Sequence, residues 1–137
     1  LARLVPLNGS GHDPLATCVT GTPAGYYLQR GAGDLFVVFL QGGGWCTSAW
    51  HPSCWATGPQ APERASAELP PFYDRTPLRG SLLDSATVAY VPYCTGDTHT
   101  GDTAEGSDGG AGRAFRGRRV VRAVVADLVG RQGLGNS

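Results

Sequence analysis

The sequence Leu35-Phe-Val-Val-Phe-Leu-Gln-Gly-Gly-Gly-Trp-Cys46 carries the strongest structural signal in the chain. Its first six residues are apolar, and an unbroken run of this length predicts a strand buried on both faces, as in a parallel sheet covered by helices. Gly42, Gly43 and Gly44 follow where such a strand reaches the carboxyl edge of its sheet, the usual ligand site of α/β proteins. Glycines there let backbone N–H groups face a developing negative charge. The stretch therefore predicts a hydrolase of the α/β type.

A tight turn is the alternative interpretation of the glycine triplet, because a chain with 21 glycines forms some clusters by composition alone. A phosphate-binding P-loop is excluded, since no Lys-Ser or Lys-Thr pair follows the glycines and the chain contains no lysine. All 11 basic residues are arginine, which together with the abundant alanine and glycine indicates a compositional bias. Arginine counts are therefore given no functional weight.

Composition predicts one folded unit without a strongly charged partner. The 137 residues are 41% hydrophobic and 16% charged, and the formal net charge is zero. These values suit a folded chain and give no reason to expect nucleic acid or an acidic membrane surface as partner. No apolar stretch approaches the roughly 18 residues that a membrane span requires. We expect a single partial domain over residues 1–137, and the lack of methionine is typical of a processed chain or a piece of a longer one.

The chain has four cysteines, an even set without a C-x-x-C pair: Cys18, Cys46, Cys54 and Cys94. Two disulfide bonds are the favoured prediction, which implies an oxidising compartment and a secreted or extracellular protein. A metal site that uses His51 or His99 beside these cysteines is the less favoured alternative, because their spacing matches no common zinc motif. The sequence therefore predicts no metal ion and no cofactor.

Two further strands are predicted, one on each side of the central stretch. Gly25 to Arg30 is a short strand candidate, separated from the central strand by a turn at residues 31–34. Ala86 to Pro92 is the other candidate, ended by its proline. Residues 1–17 contain two prolines and two glycines and are expected to form an irregular lead-in, with residues 18–137 forming the domain.

Long irregular segments are predicted after the central strand and after residue 92. Residues 47–79 contain six prolines, and we expect a binding wall or lid with at most one short helix, around Glu63 to Leu69. After residue 92 a polar stretch rich in glycine runs through Gly112. Its acidic residues are expected to lie in a solvated loop, since they do not follow the EF-hand spacing. These acids are Asp97, Asp102, Glu105 and Asp108.

An amphipathic helix of about four turns is predicted from Gly117 onward, packed on a sheet. Charged residues fill its outer face, and Asp127 stands four residues before Arg131, the favourable order for an ion pair. The helix should stop near Gly130 and Gly133. The apolar residues at helical spacing are Val120, Val121, Val124, Val125, Leu128 and Val129.

These elements together predict an α/β fold: the N-terminal portion of a mostly parallel sheet in a three-layer arrangement. A helix after a buried parallel strand normally leads to a further parallel strand, and the sequence ends at Ser137 before one occurs. We therefore expect the polypeptide to be interrupted within a β-α-β unit. The valine face of the helix and the edge of the central strand should then be exposed.

Five motifs in register resemble the pectin acetylesterase and Notum-like carboxylesterase family, a branch of the α/β-hydrolases. They are Cys18-Val-Thr-Gly-Thr-Pro-Ala-Gly-Tyr-Tyr27, Phe39-Leu-Gln-Gly-Gly-Gly-Trp-Cys46 with Cys54, Val91-Pro-Tyr-Cys-Thr-Gly-Asp97, His99 with Gly101-Asp102, and Phe115-Arg-Gly117. The resemblance covers nearly the whole chain. Gln41 departs from the family pattern, in which Glu precedes the glycines, and we expect this to change the hydrogen bonding behind the loop without removing its backbone donors.

The resemblance implies an α/β-hydrolase domain truncated before the nucleophile strand. The catalytic serine would lie on a Gly-x-Ser-x-Gly elbow after the helix, with its Asp and His partners later still, so all three are expected beyond Ser137. Asp97 and His99 match the family's cysteine-containing loop and are not expected to be triad members. The oxyanion hole would be formed by the backbone N–H groups of Gly43 and Gly44.

The resemblance also assigns the remaining residues of the site. Trp45 would line the substrate pocket, and a core position under the loop stays open for it as well. A local disulfide between Cys46 and Cys54 would fix the loop, and Cys18 and Cys94 would form a second bridge.

The implied function is that of a secreted serine carboxylic-ester hydrolase that removes O-acyl groups, in the first place acetyl groups, from a polysaccharide such as pectin. A Notum-like protein deacylase is a variant of this hypothesis, and the fragment alone is expected to be inactive. The alternative from another class is a non-catalytic, disulfide-bonded module that binds carbohydrate or protein through Trp45, Trp50 and Trp55. If the chain is complete, this module or a degenerate enzyme is favoured, because no nucleophile remains.

Overall fold

A computed structural model describes residues 2–19, 21–43, 79–103 and 115–135 of the chain. These residues form four strands and one helix, in the order β1 (Arg3–Pro6), β2 (Gly25–Gln29), β3 (Phe36–Leu40), β4 (Thr87–Val91) and α1 (Gly117–Arg131). The three predicted strands and the predicted helix are confirmed. The short helix expected around residues 63–69 lies outside the described residues.

The expectation of an irregular lead-in over residues 1–17 is wrong for β1. This strand pairs antiparallel with β2, with Leu4 opposite Tyr27. Four residues that end at a proline are too few to show an alternating pattern, so the strand depends on its partner rather than on a local signal.

The sheet is mixed, and the expectation of a mostly parallel sheet is wrong for the described strands. Their order is β1-β2-β4-β3; β4 runs parallel to β3 but antiparallel to β2, which in turn is antiparallel to β1. The opposite directions of β2 and β3 follow from the short link between Gln29 and Phe36, because two parallel strands need a crossover connection of about a dozen residues or more. The link from β3 to β4 is long enough for such a crossover, and these two strands are parallel.

Among the described strands β4 is buried throughout and β2 is buried except at Gln29, whereas β3, the strand predicted to be buried, is not. All five residues of β4 are buried, whereas β3 is partly exposed, with Phe39 and Leu40 each about two-fifths exposed. The prediction that β3 is covered on both faces is therefore wrong in the described part of the chain, since Val38, Phe39 and Leu40 are exposed. β3 also has a neighbouring strand there on one side only. The predicted exposure of its edge is found.

Helix α1 packs on one face of the sheet. Val120, Val124 and Leu128 are buried in a core cluster with Tyr26 and Leu28 of β2. The buried face is narrower than predicted, since Val125 and Val129 are exposed. The expectation of an exposed valine face holds for these two residues and is wrong for Val120 and Val124, which are buried. Within the described ranges, no helix is long and apolar enough to cross a membrane.

The charge pattern predicted that Asp127 lies on the outer face of α1. This prediction is wrong, because Asp127 is buried against the sheet. Its carboxylate accepts a hydrogen bond of 2.6 Å from the Tyr26 hydroxyl and lies 2.9 Å from His12 Nε2. Arg131 completes the predicted ion pair at 3.2 Å and also donates to the Ser10 carbonyl. This cluster fastens the N-terminal segment to the helix.

The Asp127 cluster predicts a loss of stability in acid. Burial alone raises the pKa of Asp127, but the hydrogen bonds from Tyr26, His12 and Gln132 outweigh it and lower the pKa below its ordinary value of 3.8. A carboxyl with a depressed folded-state pKa contributes stability above its unfolded-state pKa, and this contribution is lost as the pH falls through the folded-state pKa. We expect the free energy of unfolding to decrease below about pH 4, measured by urea titration.

Asp127→Asn should remove about 2 kcal/mol at pH 7 and flatten the acid limb, because charge-assisted hydrogen bonds are lost. Asp13→Asn is the matched control, since Asp13 is partly exposed and pairs with Arg119 at 3.3 Å; it should change stability by less than about 1 kcal/mol. An acid limb that persists unchanged in Asp127→Asn would contradict the assignment.

Candidate functional site

The glycine loop begins at the carboxyl edge of the parallel pair β3 and β4. The Gln41 N–H donates to the Val91 carbonyl at 3.0 Å, so the β3–β4 ladder extends one residue beyond β3. Of the residues that follow β3, the structure describes residues 41–43. Gly44 and Trp45, the second predicted oxyanion donor and the predicted pocket residue, lie outside the described residues.

Gln41 is held by both its side chain and its carbonyl group. The side-chain Oε1 accepts the Tyr93 N–H at 2.9 Å, and the main-chain carbonyl lies 2.9 Å from His99 Nε2. Because a carbonyl oxygen only accepts, Nε2 is the protonated nitrogen of His99. Gln41, which departs from the Glu of the family pattern, thus still provides a side-chain oxygen that accepts a hydrogen bond from the Tyr93 N–H.

Gly43 lies against the ring of Tyr93 so closely that no side chain fits. A Cβ atom added at Gly43 would come within 2.1 Å of Tyr93 Cδ1, whereas one at Gly42 would meet nothing within 4 Å. The Gly43 amide donates no hydrogen bond to any other residue in the described part of the chain. The position therefore demands glycine for reasons of space, and its N–H is not used by the described scaffold.

Tyr93 is fixed from its other side by the loop after β4. Its hydroxyl accepts the Thr98 N–H at 2.7 Å, and its ring centroid lies 4.9 Å from that of His99. Burial is the main cause that raises the pKa of Tyr93, so the phenol is neutral at physiological pH. Tyr93 and His99 thus form one layer beneath the glycine loop.

Asp97 organises this layer, and the expectation of a solvated loop is wrong at this position. Asp97 is buried, and its two carboxylate oxygens accept from the Thr95 hydroxyl at 2.6 Å, the His99 N–H at 3.0 Å and the Gly101 N–H at 3.0 Å. They also accept from the Gly117 N–H, the first amide of α1, at 2.7 Å. A negative charge at a helix N-terminus is favourable.

The other acidic residues of this stretch differ from Asp97. Asp102 is exposed, as expected, and makes a surface ion pair of 2.5 Å with Arg119. Glu105 and Asp108 lie outside the described residues. In the described ranges, no group of three or more His, Cys, Asp and Glu side chains is placed to hold a metal ion.

The loop after β4 contains two consecutive residues in the left-handed region. Thr98 has φ of 56° and His99 has φ of 60°. Such conformations cost roughly 1–3 kcal/mol each in residues other than glycine and persist only where the surroundings impose them. Here the Asp97 carboxylate accepts hydrogen bonds from Thr95, before Thr98, and from His99, after it, and these bonds hold the left-handed conformations.

A disulfide bond between Cys18 and Cys94 joins the N-terminal segment to the same loop. This is the second bridge that the resemblance implied. The Val19 N–H also donates to the Cys94 carbonyl at 2.9 Å, so the two segments are linked by covalent and hydrogen bonds. The predicted bridge between Cys46 and Cys54 lies outside the described residues.

Sequence reasoning placed the glycine loop correctly at the carboxyl edge but missed the layer beneath it. The sequence predicts a solvated loop for Asp97, names His99 only in the less favoured metal site, expects neither to be a triad member and assigns no role to Tyr93. No signal in the sequence identifies Asp97, because its neighbours Gly101 and Gly117 are two of 21 glycines. In the structure an added Cβ at these glycines would come within 2.4 and 2.3 Å of the Asp97 carboxylate oxygens.

The fold and this geometry define an α/β protein with a glycine loop at the carboxyl edge of a parallel strand pair. A family model described as pectinacetylesterase matches residues 9–68. The chain is 29% identical to palmitoleoyl-protein carboxylesterase notum1' of Xenopus laevis, over 88% of this chain and 25% of the relative. It is also 29% identical to pectin acetylesterase 11 of Arabidopsis thaliana, over 99% of this chain and 36% of the relative.

A third relative is matched over most of its own length. It is the inactive palmitoleoyl-protein carboxylesterase notum1b of Danio rerio, 30% identical over 64% of this chain and 67% of the relative. The chain therefore belongs to the pectin acetylesterase and Notum-like family, whose members include carboxylesterases. It spans about a quarter of the length of the first relatives that it matches.

Proposed function

We propose that this chain is the oxyanion-loop part of a secreted serine carboxylic-ester hydrolase. The observation that carries the proposal is Gly43, which follows β3 at the carboxyl edge, is pressed onto Tyr93, and has an amide unused by the described scaffold. A loop of this kind supplies hydrogen-bond donors without moving during the reaction. The family match is the second support.

The reaction would begin with attack of a serine hydroxyl on the ester carbonyl, while the catalytic histidine takes the hydroxyl proton. The carbonyl oxygen becomes an oxyanion, which the amides of Gly43 and Gly44 would bind together with the amide after the nucleophile. The alcohol would then leave with a proton from the catalytic histidine, and water would hydrolyse the acyl-enzyme. Loss of one oxyanion donor typically costs roughly 3 kcal/mol of transition-state stabilisation.

The catalytic residues are proposed to lie beyond Ser137, in a sheet that continues as the three-layer α/β-hydrolase fold. Residues 1–137 would then be inactive alone. No cofactor, metal ion, nucleic acid or membrane is invoked, since the proposed chemistry uses only side chains, amides and water.

The proposed substrate class is an O-acylated polysaccharide such as acetylated pectin. The match to a pectin acetylesterase over nearly the whole chain supports it. A protein deacylase is the variant, supported by the palmitoleoyl-protein carboxylesterases among the relatives. Trp45 is proposed to line the pocket that separates these substrates. Secretion is supported by the disulfide bond between Cys18 and Cys94, which is typical of an oxidising compartment.

Gly43→Ala and Gly42→Ala form a matched pair that tests the oxyanion loop in the complete natural polypeptide carrying this chain. We expect Gly43→Ala to lower kcat on 4-nitrophenyl acetate by about a hundredfold, because the added methyl group displaces the loop from Tyr93. Gly42→Ala has open space and should change kcat by less than about fivefold. Equal rates for both variants would contradict the proposal.

A non-catalytic member of the family is the second candidate function. It is favoured by the inactive relative from Danio rerio, about two-thirds of which this chain covers. Such a protein would bind an acylated glycan or protein without hydrolysing it, and the predicted contacts are Trp45, Trp50 and Trp55. Binding of acetylated pectin by a complete polypeptide that releases no acetate would favour this candidate.

A further inference from the structure

We propose that His99 is a positioning residue for the oxyanion loop: its Nε2–H group orients the peptide between Gln41 and Gly42, and through it the amides that follow. The inference rests on the proposed esterase function and adds to it a residue from a different part of the sequence. His99 is separated from Gln41 by 58 positions, so the contact is tertiary and not part of the strand pairing.

The first support is the way in which the loop is attached. The N–H of Gln41 continues the β3–β4 ladder and its side chain is bonded to Tyr93. The direction of the next peptide is then set at the Gln41 carbonyl, where His99 Nε2 is the described donor at 2.9 Å. Loss of this donor would remove the described hydrogen bond that sets the orientation of the Gln41–Gly42 peptide.

The second support is that His99 is itself held from three directions. Its N–H donates to Asp97 at 3.0 Å, and its ring packs on Tyr93. The backbone of α1 approaches so closely that a Cβ atom at Gly117 would come within 2.5 Å of the His99 Cα. A residue with a left-handed backbone and this many contacts presents its ring in one direction only.

The third support is the remaining ring nitrogen. His99 Nδ1 is buried and has no hydrogen-bond partner among the described residues. A neutral imidazole carries one N–H group, and the contact with the Gln41 carbonyl places it on Nε2. The ring therefore acts as a single donor aimed at one carbonyl, which fits positioning better than proton transfer.

Three substitutions at His99 separate the donor from the ring. His99→Phe keeps the ring and removes the donor, and His99→Gln keeps a donor near the position of Nε2. In the complete natural polypeptide we expect His99→Phe to lower kcat on 4-nitrophenyl acetate about tenfold to a hundredfold, with KM changed less than about twofold. His99→Gln should recover kcat to within about threefold of the wild type. If His99→Phe does not fold, His99→Asn replaces it, because the shorter amide cannot reach the carbonyl.

A spectroscopic measurement tests the same contact without turnover. Labelling Gln carbonyls with ¹³C and Gly amides with ¹⁵N selects Gln-Gly pairs, and this chain contains two of them, Gln41-Gly42 and Gln132-Gly133. The Gln41 carbonyl signal should move upfield in His99→Phe and stay in place in His99→Gln. The Gln132 carbonyl accepts from Arg30 at 2.7 Å and is the internal control.

His12→Phe is the control for loss of a histidine elsewhere, and it should leave kcat and the Gln41 signal unchanged. The inference is overturned if His99→Phe leaves the Gln41 carbonyl signal in place, or if it leaves kcat within twofold of an active wild type. A wild type without esterase turnover would refute the proposed function instead, and the carbonyl signal would still decide whether His99 sets the loop.

Discussion

Asp97→Ala is expected to lower the free energy of unfolding by about 3–5 kcal/mol. The substitution removes one carboxylate that serves the loop after β4 and the first turn of α1 together. The Thr95 hydroxyl and the N–H groups of His99 and Gly117 would lose their acceptor. Each buried donor left unpaired costs roughly 1–3 kcal/mol. Equilibrium urea unfolding, followed by far-UV circular dichroism, measures the change.

Asp102→Ala is the matched control for Asp97→Ala, because the two aspartates lie five residues apart in one loop. Asp102 is exposed and contributes a surface ion pair with Arg119, so its loss should cost less than about 1 kcal/mol. Asp97→Asn should fall between the two, since the amide keeps one acceptor oxygen and places an NH₂ group against backbone donors. Equal destabilisation by Asp97→Ala and Asp102→Ala would refute the central role of Asp97.

The elements that the sequence predicted are those with a strong local signal. The apolar run at 35–40, the stretch at 86–92 and the valine periodicity after Gly117 each identified an element, because hydrophobic period and turn residues act over a few positions. Strand direction was not predicted correctly, since it depends on which strands become neighbours. The short link before Phe36 was present in the sequence, but its effect appears only once β4 is known to lie between β2 and β3.

The burial of individual residues also depends on tertiary neighbours that a local sequence pattern does not reveal. The most apolar strand, β3, lies at the edge of the described sheet, and the less apolar Thr87–Val91 is fully buried. Asp127 fits the polar pattern of a helix surface, yet it is buried because Tyr26 and His12 provide partners from other segments. Periodicity reports the average environment of a face and cannot detect a hydrogen-bonded exception.

One part of the candidate site could be predicted from local sequence, and the other part depends on tertiary contacts. The position of the glycine loop followed from one strand and three glycines, because the carboxyl edge is a general ligand site of α/β sheets. The layer of Tyr93, Asp97 and His99 depends on contacts between residues 52 to 58 positions apart, or 20 positions for Asp97 and Gly117. Such contacts leave no periodic pattern. The backbone strain at His99 is visible only in the coordinates.

Removal of the Cys18–Cys94 bond by the double substitution Cys18→Ala and Cys94→Ala should lower the free energy of unfolding by about 4 kcal/mol. The bond closes a loop across a sequence separation of 76, and a cross-link over such a span restricts the unfolded chain strongly. Urea unfolding of the double variant measures the effect without reductant, which would act on all four cysteines. The loss should be accompanied by movement of the Gln41 carbonyl signal, because Cys94 directly follows Tyr93, which supports the glycine loop. A double variant as stable as the oxidised wild type would show that hydrogen bonds such as that from the Val19 N–H to the Cys94 carbonyl hold this junction without the covalent link.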